Sequence, residues 1–311
     1  MSSQASATRL QRLRGSLAQR LDEQAIEVEA YRDGIDSWVD LVRRPRFPLA
    51  VVRSAKVERR MTRYDGLVDF AVVMEKEIAV ARVLGEAGVP TPAVLTWHRT
   101  ADPETEPSWM LVEYVPHEGV ERLSRDCQVE LGALARRIHA IEPSGLDVPG
   151  LARDRPWPDW IRQRILTRLA AARRYMAIPA AAEVERMLGA ALADGPREPR
   201  SLLHLDLRAP NLAIRTNRIA GVLDLANAIV GDPYLELARI RGCGLLTPGF
   251  LEGYGEDSMR LERYGRTLDA YELDLTALLV VVSREEMDDD RLHREMVQRT
   301  AMLLERLASG H

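Results

Sequence analysis

Cysteine is nearly absent. Cys127 and Cys243 are the only two in 311 residues, and they stand far apart with no pairing pattern. Neither a disulfide framework nor a zinc site is expected, and a reducing cytoplasm fits best. Missing too is any run approaching the ~20 apolar residues that span a bilayer. Residues 1–14 carry Ser and Arg without the apolar core of a secretory signal, so no membrane association is expected and the location is read as cytoplasmic. A formal charge of -4 lacks the basic excess of a nucleic-acid binder. No Gly-x-x-x-x-Gly-Lys loop, no His-Glu-x-x-His and no Gly-x-Ser-x-Gly occurs, which removes the commonest nucleotide, zinc and hydrolase signals. Gly242 and Gly244 form a Gly-x-Gly with no third glycine and read as a turn. No internal repeat or low-complexity linker is found.

What is present describes an ordinary globular chain, 29% charged and 46% hydrophobic, long enough for one large or two modest cores. Two lobes are expected. The chemistry concentrates in Leu202-Leu203-His204-Leu205-Asp206-Leu207-Arg208-Ala209-Pro210-Asn211. An apolar run delivers His204 and Asp206, and Asn211 follows a turn forced by Pro210. A second apolar run, with Ile219, Val222 and Leu223, delivers Asp224. Oxygen-bearing side chains are thereby brought to one end of a hairpin.

Phosphoryl transfer needs that arrangement. A nucleoside triphosphate is held with a hard cation that takes carboxylate and amide oxygens, which Asn211 and Asp224 supply. Asp206 is then left to orient the attacking hydroxyl and take its proton. Each residue alone would read as a turn former or cap; the set reads as base plus two metal ligands.

The segment His204-x-Asp206-x-x-x-x-Asn211, with Asp224 ending a later strand, resembles the aminoglycoside phosphotransferase and choline kinase-like family, relatives of protein kinases. Gly231-Asp232-Pro233 and Leu237-Ala238 resemble the family's Gly-Asp-Pro-x-x-Asp-Leu-Ala element, with Glu236 where Asp is usual. The resemblance covers roughly residues 26–254. It implies an α+β, bilobal protein kinase-like fold: a small N-terminal lobe with an antiparallel sheet and one helix, and a larger, mainly helical C-terminal lobe. The expected division is residues 1–112, with an extra helix at about 6–22, a hinge at 113–117, and residues 118–311. It also implies Mg2+, ATP or GTP as co-substrate, and as acceptor a hydroxyl of an antibiotic, aminoglycoside or other, or of a related metabolite. Metabolite kinases of the choline, sugar or amino-alcohol type and a non-catalytic nucleotide-binding scaffold are the alternatives. A monomer or homodimer is expected. His204 is assigned to shaping the loop, and Arg208 either to stabilising the transferring phosphoryl group or to a solvated surface.

Leu10, Leu13, Leu17 and Leu21 recur at helical spacing. Residues 26–31 and 38–42 read as a hairpin closed by Asp33-Gly34, and residues 47–53 as a third strand with Leu49, Val51 and Arg53 on one face. The family places a phosphate-covering loop at Gly34-Ile35-Asp36-Ser37, where Ser37 donates to phosphate, although Asp36 would repel it; an ordinary hairpin turn explains the glycine as well. It places a basic residue near the end of the third strand, and strand parity favours Arg53 over Lys56. On the helix expected at about 69–87, Glu77 falls inside the apolar stripe Val73, Val80, Ala81, Leu84 and requires a charged partner. Arg53 is that expected partner, while Glu75 is expected to be solvated. The strand expected at 109–115 resembles the linker whose backbone at Glu113 and Val115 binds the purine.

The remainder reads as mainly helical. Leu131, Leu134, Ile138 and Ile141 form one stripe beside a structural His139, Trp157 opens a second helix, and Tyr271–Val282 and Leu292–Leu307 form two more. Between Glu256 and Asp290 stand eleven acidic residues against four arginines, a local net charge of -7. That excess either attracts a cationic acceptor such as an aminosugar or basic peptide antibiotic, or is a solvated helix face.

Overall fold

The computed structural model of the chain describes residues 3–120, 122–142, 151, 155–193 and 195–309. Helix α1 (Ser3–Leu21) precedes strands β1 (Glu27–Asp33), β2 (Ser37–Arg44), β3 (Phe47–Ala55), β4 (Arg59–Thr62) and β5 (Gly66–Asp69). Helix α2 (Phe70–Glu86) then leads to β6 (Val94–His98) and β7 (Trp109–Glu113). The main sheet has the order β1-β2-β3-β7-β6 with every neighbouring pair antiparallel. Leu13 and Leu17 of α1 pack on one face of it, against Val42, Ala50, Val52, Trp109 and Leu111. Phe70 and Met74 of α2 close the other side with Met110.

α2 begins where Asp69 caps it, the carboxylate accepting from Ala71 N at 3.1 Å and Val72 N at 3.4 Å. Its buried set is Phe70, Ala71, Met74, Lys76, Glu77, Val80, Ala81 and Leu84. Val73, expected in the stripe, is only half-buried. Met74 takes the inner position because it faces the sheet.

The rest of the chain is helical around a short β-insert. Helices α3 (Arg125–His139), α4 (Trp157–Ala172) and α5 (Ala181–Ala191) come first. Strands β8 (Ser201–Leu203), β9 (Leu212–Arg215), β10 (Arg218–Val222) and β11 (Ile229–Gly231) follow. Helices α6 (Pro233–Gly242), α7 (Pro248–Tyr254), α8 (Ser258–Arg263), α9 (Gly265–Glu285) and α10 (Asp290–Ser309) complete the chain. β9 and β10 form the expected hairpin, and β11 pairs with β8 so that Ile229 lies opposite Leu203. One apolar core joins these helices, with Leu131, Ile138, Trp157, Ile165, Leu203, Val222, Leu237 and Phe250 inside it.

Two glycines set the α3–α7 crossing. A Cβ at Gly132 would stand 2.0 Å from the Phe250 carbonyl oxygen, and one at Gly253 would stand 1.9 Å from that of Val129. The helices touch backbone to backbone. Among the described residues no helix is long and apolar enough to cross a membrane.

Candidate active site

β8 runs straight into the segment 204–211, and the segment is held by its own polar groups. His204 Nδ1 accepts from Asp206 N at 3.1 Å and Nε2 donates to the Leu223 carbonyl at 3.0 Å, which requires the neutral ring protonated on Nε2. The imidazole therefore ties the start of the loop to the strand end that carries Asp224. Between them Leu205 adopts φ 63°, a left-handed conformation that costs a bulky residue of order 1–3 kcal/mol.

Both backbone polar groups of Leu205 are clamped by charged side chains. Its N–H donates to Glu236 at 2.7 Å, and its carbonyl accepts from Arg239 at 2.7 Å. Glu236 also accepts from His204 N and from His139 Nε2, each at 2.9 Å. Burial alone would raise the Glu236 carboxyl, but the bond from His139, that neighbour's charge and the His204 backbone hold it below the ordinary glutamate range. The extra methylene relative to Asp reaches two consecutive N–H groups. His139, whose Nδ1 bonds the Tyr254 hydroxyl at 2.8 Å, is a partnered structural group.

The two oxygens of Asp206 have different neighbours. One accepts from Arg208 Nε at 2.8 Å, the other from Asn211 Nδ2 at 2.6 Å. Asn211 Nδ2 also donates to the Asp206 carbonyl at 3.0 Å, so its Oδ1 is the acceptor left over. Leu223 N donates to Asn211 O at 2.8 Å, which brings the next residue, Asp224, beside Asn211. Asp224 has φ 61°, a conformation that Asp tolerates better than most residues.

The N-terminal sheet reaches the same place. Arg53 of β3 pairs with Glu77 of α2, and its Nη2 stands 3.6 Å from Asp224. Burial penalises the Arg53 charge, yet Glu77 and Asp224 hold its pKa above the ordinary arginine value. Burial likewise pushes Glu77 up, with Arg53 pulling it back. Lys56 lies away from this cluster, paired with Asp33 over the Trp38 ring. Asp36 is bound by Arg60 at 2.7 Å. Ser37 is buried, and its carbonyl accepts from Gly34 N at 3.1 Å.

At the end of β7, Glu113 N donates to Ala93 O at 2.9 Å, and the Val115 carbonyl accepts from His117 Nδ1 at 2.9 Å. Val115 N–H has no partner among the described residues. All of Ser37, Arg53, Glu77, Glu113, Val115, Asp206, Arg208, Asn211 and Asp224 line one cleft of about 2030 Å³. His204 lies behind it, fully buried.

Among the described acidic residues between Glu256 and Asp290 only Glu286 lines this cleft, and Arg60 holds it, so, contrary to both expectations, the stretch is neither a carboxylate wall for a cationic acceptor nor simply a solvated helix face. Asp269, Glu272 and Asp274 are buried in α9 and consumed by arginines from elsewhere: Asp269 by Arg241 and Arg306, Glu272 by Arg241 and Arg299, Asp274 by Arg164, Arg168 and Arg239. Glu285 and Glu286 pair with Arg63 and Arg60. Glu75, expected in water, is bound by Arg99 at 3.1 Å.

Sequence reasoning missed several residues that shape the site. Arg239 and Asp274 carry no local signal, being an arginine and an aspartate in apolar helices whose partners lie far away in the chain. Lys76 lines the cleft and is buried, which lowers its pKa; it follows Glu75 and precedes Glu77 and so reads as surface. The turn between β4 and β5 was also missed. Its Asp65 is gripped by Arg168 at 2.7 and 2.9 Å.

Hard oxygen donors suited to Mg2+ are present in Asp224 and Asn211, and Mg2+ takes one or two protein oxygens with phosphates and water supplying the rest. Among the described residues no group of three or more His, Cys, Asp or Glu side chains is placed to hold a metal alone.

Residues 58–271 match the model of the Phosphotransferase enzyme family. Solved structures resemble nearly the whole chain. One is a thermostable mutant of aminoglycoside phosphotransferase APH(4)-Ia in ternary complex with ADP and hygromycin B, 18% identical at TM-score 0.69, covering 96% of this chain and 99% of that one. Another is the ADP-bound aminoglycoside phosphotransferase APH(2'')-Ib, 17% identical at TM-score 0.62, covering 94% and 97%. A third is the macrolide 2'-phosphotransferase MphH from Brachybacterium faecium, 19% identical at TM-score 0.57, covering 92% and 95%. At such identities the likeness is one of fold. No curated protein matches the chain.

Proposed function

Because the chain belongs to the phosphotransferase enzyme family, kinase-type enzymes with an alcohol group as acceptor, we propose that it transfers the γ-phosphoryl group of ATP or GTP to a hydroxyl of a small molecule held over Asp206. The observation that carries this reading is the convergence of Asp206, Asn211, Asp224 and the Arg53–Glu77 pair on one cleft. Structures of two similar proteins hold ADP, one of them together with hygromycin B.

In this reading residues 1–112 form the nucleotide-binding lobe, 113–117 the hinge and 118–311 the acceptor-binding lobe. The Val115 N–H, without a partner among the described residues, donates to the purine, and the Glu113 backbone flanks it. Arg53, oriented by Glu77, forks onto the nucleotide's phosphates, and Ser37 at the β1–β2 tip covers them. Asp224 and Asn211 hold Mg2+, which neutralises phosphate charge when bound.

Asp206 receives the acceptor's hydrogen bond. Its Asn211-bound oxygen is fixed, so the incoming hydroxyl takes the oxygen that Arg208 occupies. The displaced guanidinium, 47% exposed, then turns to the charge of the transferring phosphoryl group. Base strength matters little, since the proton leaves the hydroxyl late in a loose transition state. His204 acts through the loop, by fixing the Asp206 and Leu223 backbones.

The test is Asp206→Ala. It should lower kcat by about 10²–10⁴-fold with little change in nucleotide affinity, measured by phosphate transfer to a panel of hydroxylated compounds. Near-full turnover by that variant would refute the assignment.

A further inference from the structure

The cleft beyond Asp206 has a wall whose charge is the reverse of what the local sequence composition suggests. Of the arginines that pair with the buried carboxylates of α9, Arg164, Arg239, Arg241 and Arg299 line the cleft, and none of those carboxylates does. The acids are wholly enclosed, whereas Arg241 and Arg299 keep 22% and 35% of their side chains exposed. Charge does not balance in either half of this network. Asp269 and Glu272 face three guanidiniums, those of Arg241, Arg299 and Arg306. Asp65 and Asp274 face those of Arg164, Arg168 and Arg239. Each half carries one surplus positive charge.

The carboxylates that do reach this end of the cleft are already engaged, Asp65 by Arg168 and Glu286 by Arg60, leaving Glu295 exposed at the rim. Between the guanidiniums the wall is apolar, built from Leu275, Leu279, Val282, Met296 and Met302. Cys243, two residues past Arg241, lines the same cleft as Asp206 and Arg208, so the arginine wall and Asp206 share one cavity.

We propose that the acceptor is an amphipathic hydroxylated molecule bearing an anionic group, a carboxylate or a phosphate monoester, which Arg241 and Arg299 recognise while its apolar body lies against α9 and α10. This rests on the phosphotransferase reading and names its substrate class. Guanidiniums held in place by a buried carboxylate are pre-organised to fork onto an anion. A polycation would meet repulsion from them, with Glu295 at the rim as the one unengaged carboxylate among the described residues at this end of the cleft.

Calorimetric titration of octanoate, octyl phosphate and octylamine, each with and without Mg–AMP-PNP, tests this. The anions should bind at least about tenfold more tightly than the amine, the value of one charge-assisted hydrogen bond, and the stronger of the two anions identifies the group. Arg299→Ala should weaken anion binding about tenfold. Since that change uncovers Glu272, Gln298→Glu serves as a second variant: an exposed lining residue with no hydrogen bond among the described residues, it places a negative charge beside Arg299 and should also weaken the anions, with Mg–AMP-PNP affinity unchanged in both. In turnover, ω-hydroxyoctanoate should be phosphorylated in preference to ω-aminooctanol. Equal or tighter binding of octylamine, or anion affinity indifferent to both variants, would overturn the proposal. Failure of Mg–AMP-PNP to bind would instead strike the phosphotransferase reading, and the titrations without nucleotide still decide the charge preference.

Discussion

The buried Arg239 guanidinium donates to the Leu205 carbonyl at 2.7 Å, one residue before Asp206 and at a backbone held in the left-handed region. Its other terminal nitrogen donates to Asp274 at 2.9 Å. The strain that sets the direction of the Asp206 side chain is thus underwritten from α9, across the core of the helical region.

Removing the opposite jaw of this clamp should separate loop geometry from nucleotide binding. Glu236→Ala leaves the His204 and Leu205 N–H groups buried without an acceptor, at about 1–3 kcal/mol each. Chemical denaturation should show that loss, and kcat should fall while nucleotide affinity moves little. Glu236→Asp, the residue usual in the family resembled, is a methylene short of the same bonds and should lie between the two.

The Arg53–Glu77 pair is nearly dry. Glu77→Ala leaves the Arg53 charge with Asp224 as its one remaining ion-pair partner among the described residues and should cost about 3–5 kcal/mol of stability, with nucleotide affinity reduced roughly tenfold or more. Joint replacement by Arg53→Met and Glu77→Leu should recover much of the stability and none of the affinity, read by thermal unfolding and nucleotide titration together. Recovery of affinity in the double variant would contradict the role given to Arg53.

How much of this was legible beforehand follows from the range of the forces involved. The segment 204–211, Asp224, the β9–β10 hairpin and the helical spacing of Leu13 and Leu17 are local patterns, and the chain order alone exposes them. Glu77 was legible because a carboxylate in an apolar stripe is an anomaly within its own helix. The β4–β5 hairpin was not, since its strands are four residues each and bury none of their residues. The fate of Asp269, Glu272 and Asp274 was hidden for a different reason: counting charge along the chain cannot see Arg164, Arg241 or Arg299 arriving from other elements.

Stability should depend on pH through Asp274. Burial alone would raise this carboxyl, but Arg164, Arg168 and Arg239 overcome it and hold the pKa well below the usual range. A group depressed in the folded state stabilises fully above its unfolded value, about 3.9, and loses that contribution as pH falls toward the folded value. Denaturation midpoints should therefore drop as the pH goes below about 4. Asp274→Asn should be less stable near neutral pH and should flatten that acid limb.

Withdrawal of Mg2+ with a chelator should abolish phosphate transfer and leave the melting temperature of the protein without nucleotide unchanged, because two oxygen donors, Asn211 and Asp224, do not make a structural metal cage. A chelator-induced fall in that melting temperature would point to a structural ion.

The glycine crossing of α3 and α7 has an effect well away from itself. α3 ends in His139 and α7 in Tyr254, and these meet each other and, through His139, the Glu236 carboxylate. A single methyl at Gly132 must spread the two rods, since the Phe250 oxygen it would strike is main chain and has no rotamer to yield. That displacement pulls on His139 and so on the support beneath Leu205, which makes a small, chemically silent position a steric governor of how well the phosphate-accepting alcohol is aimed.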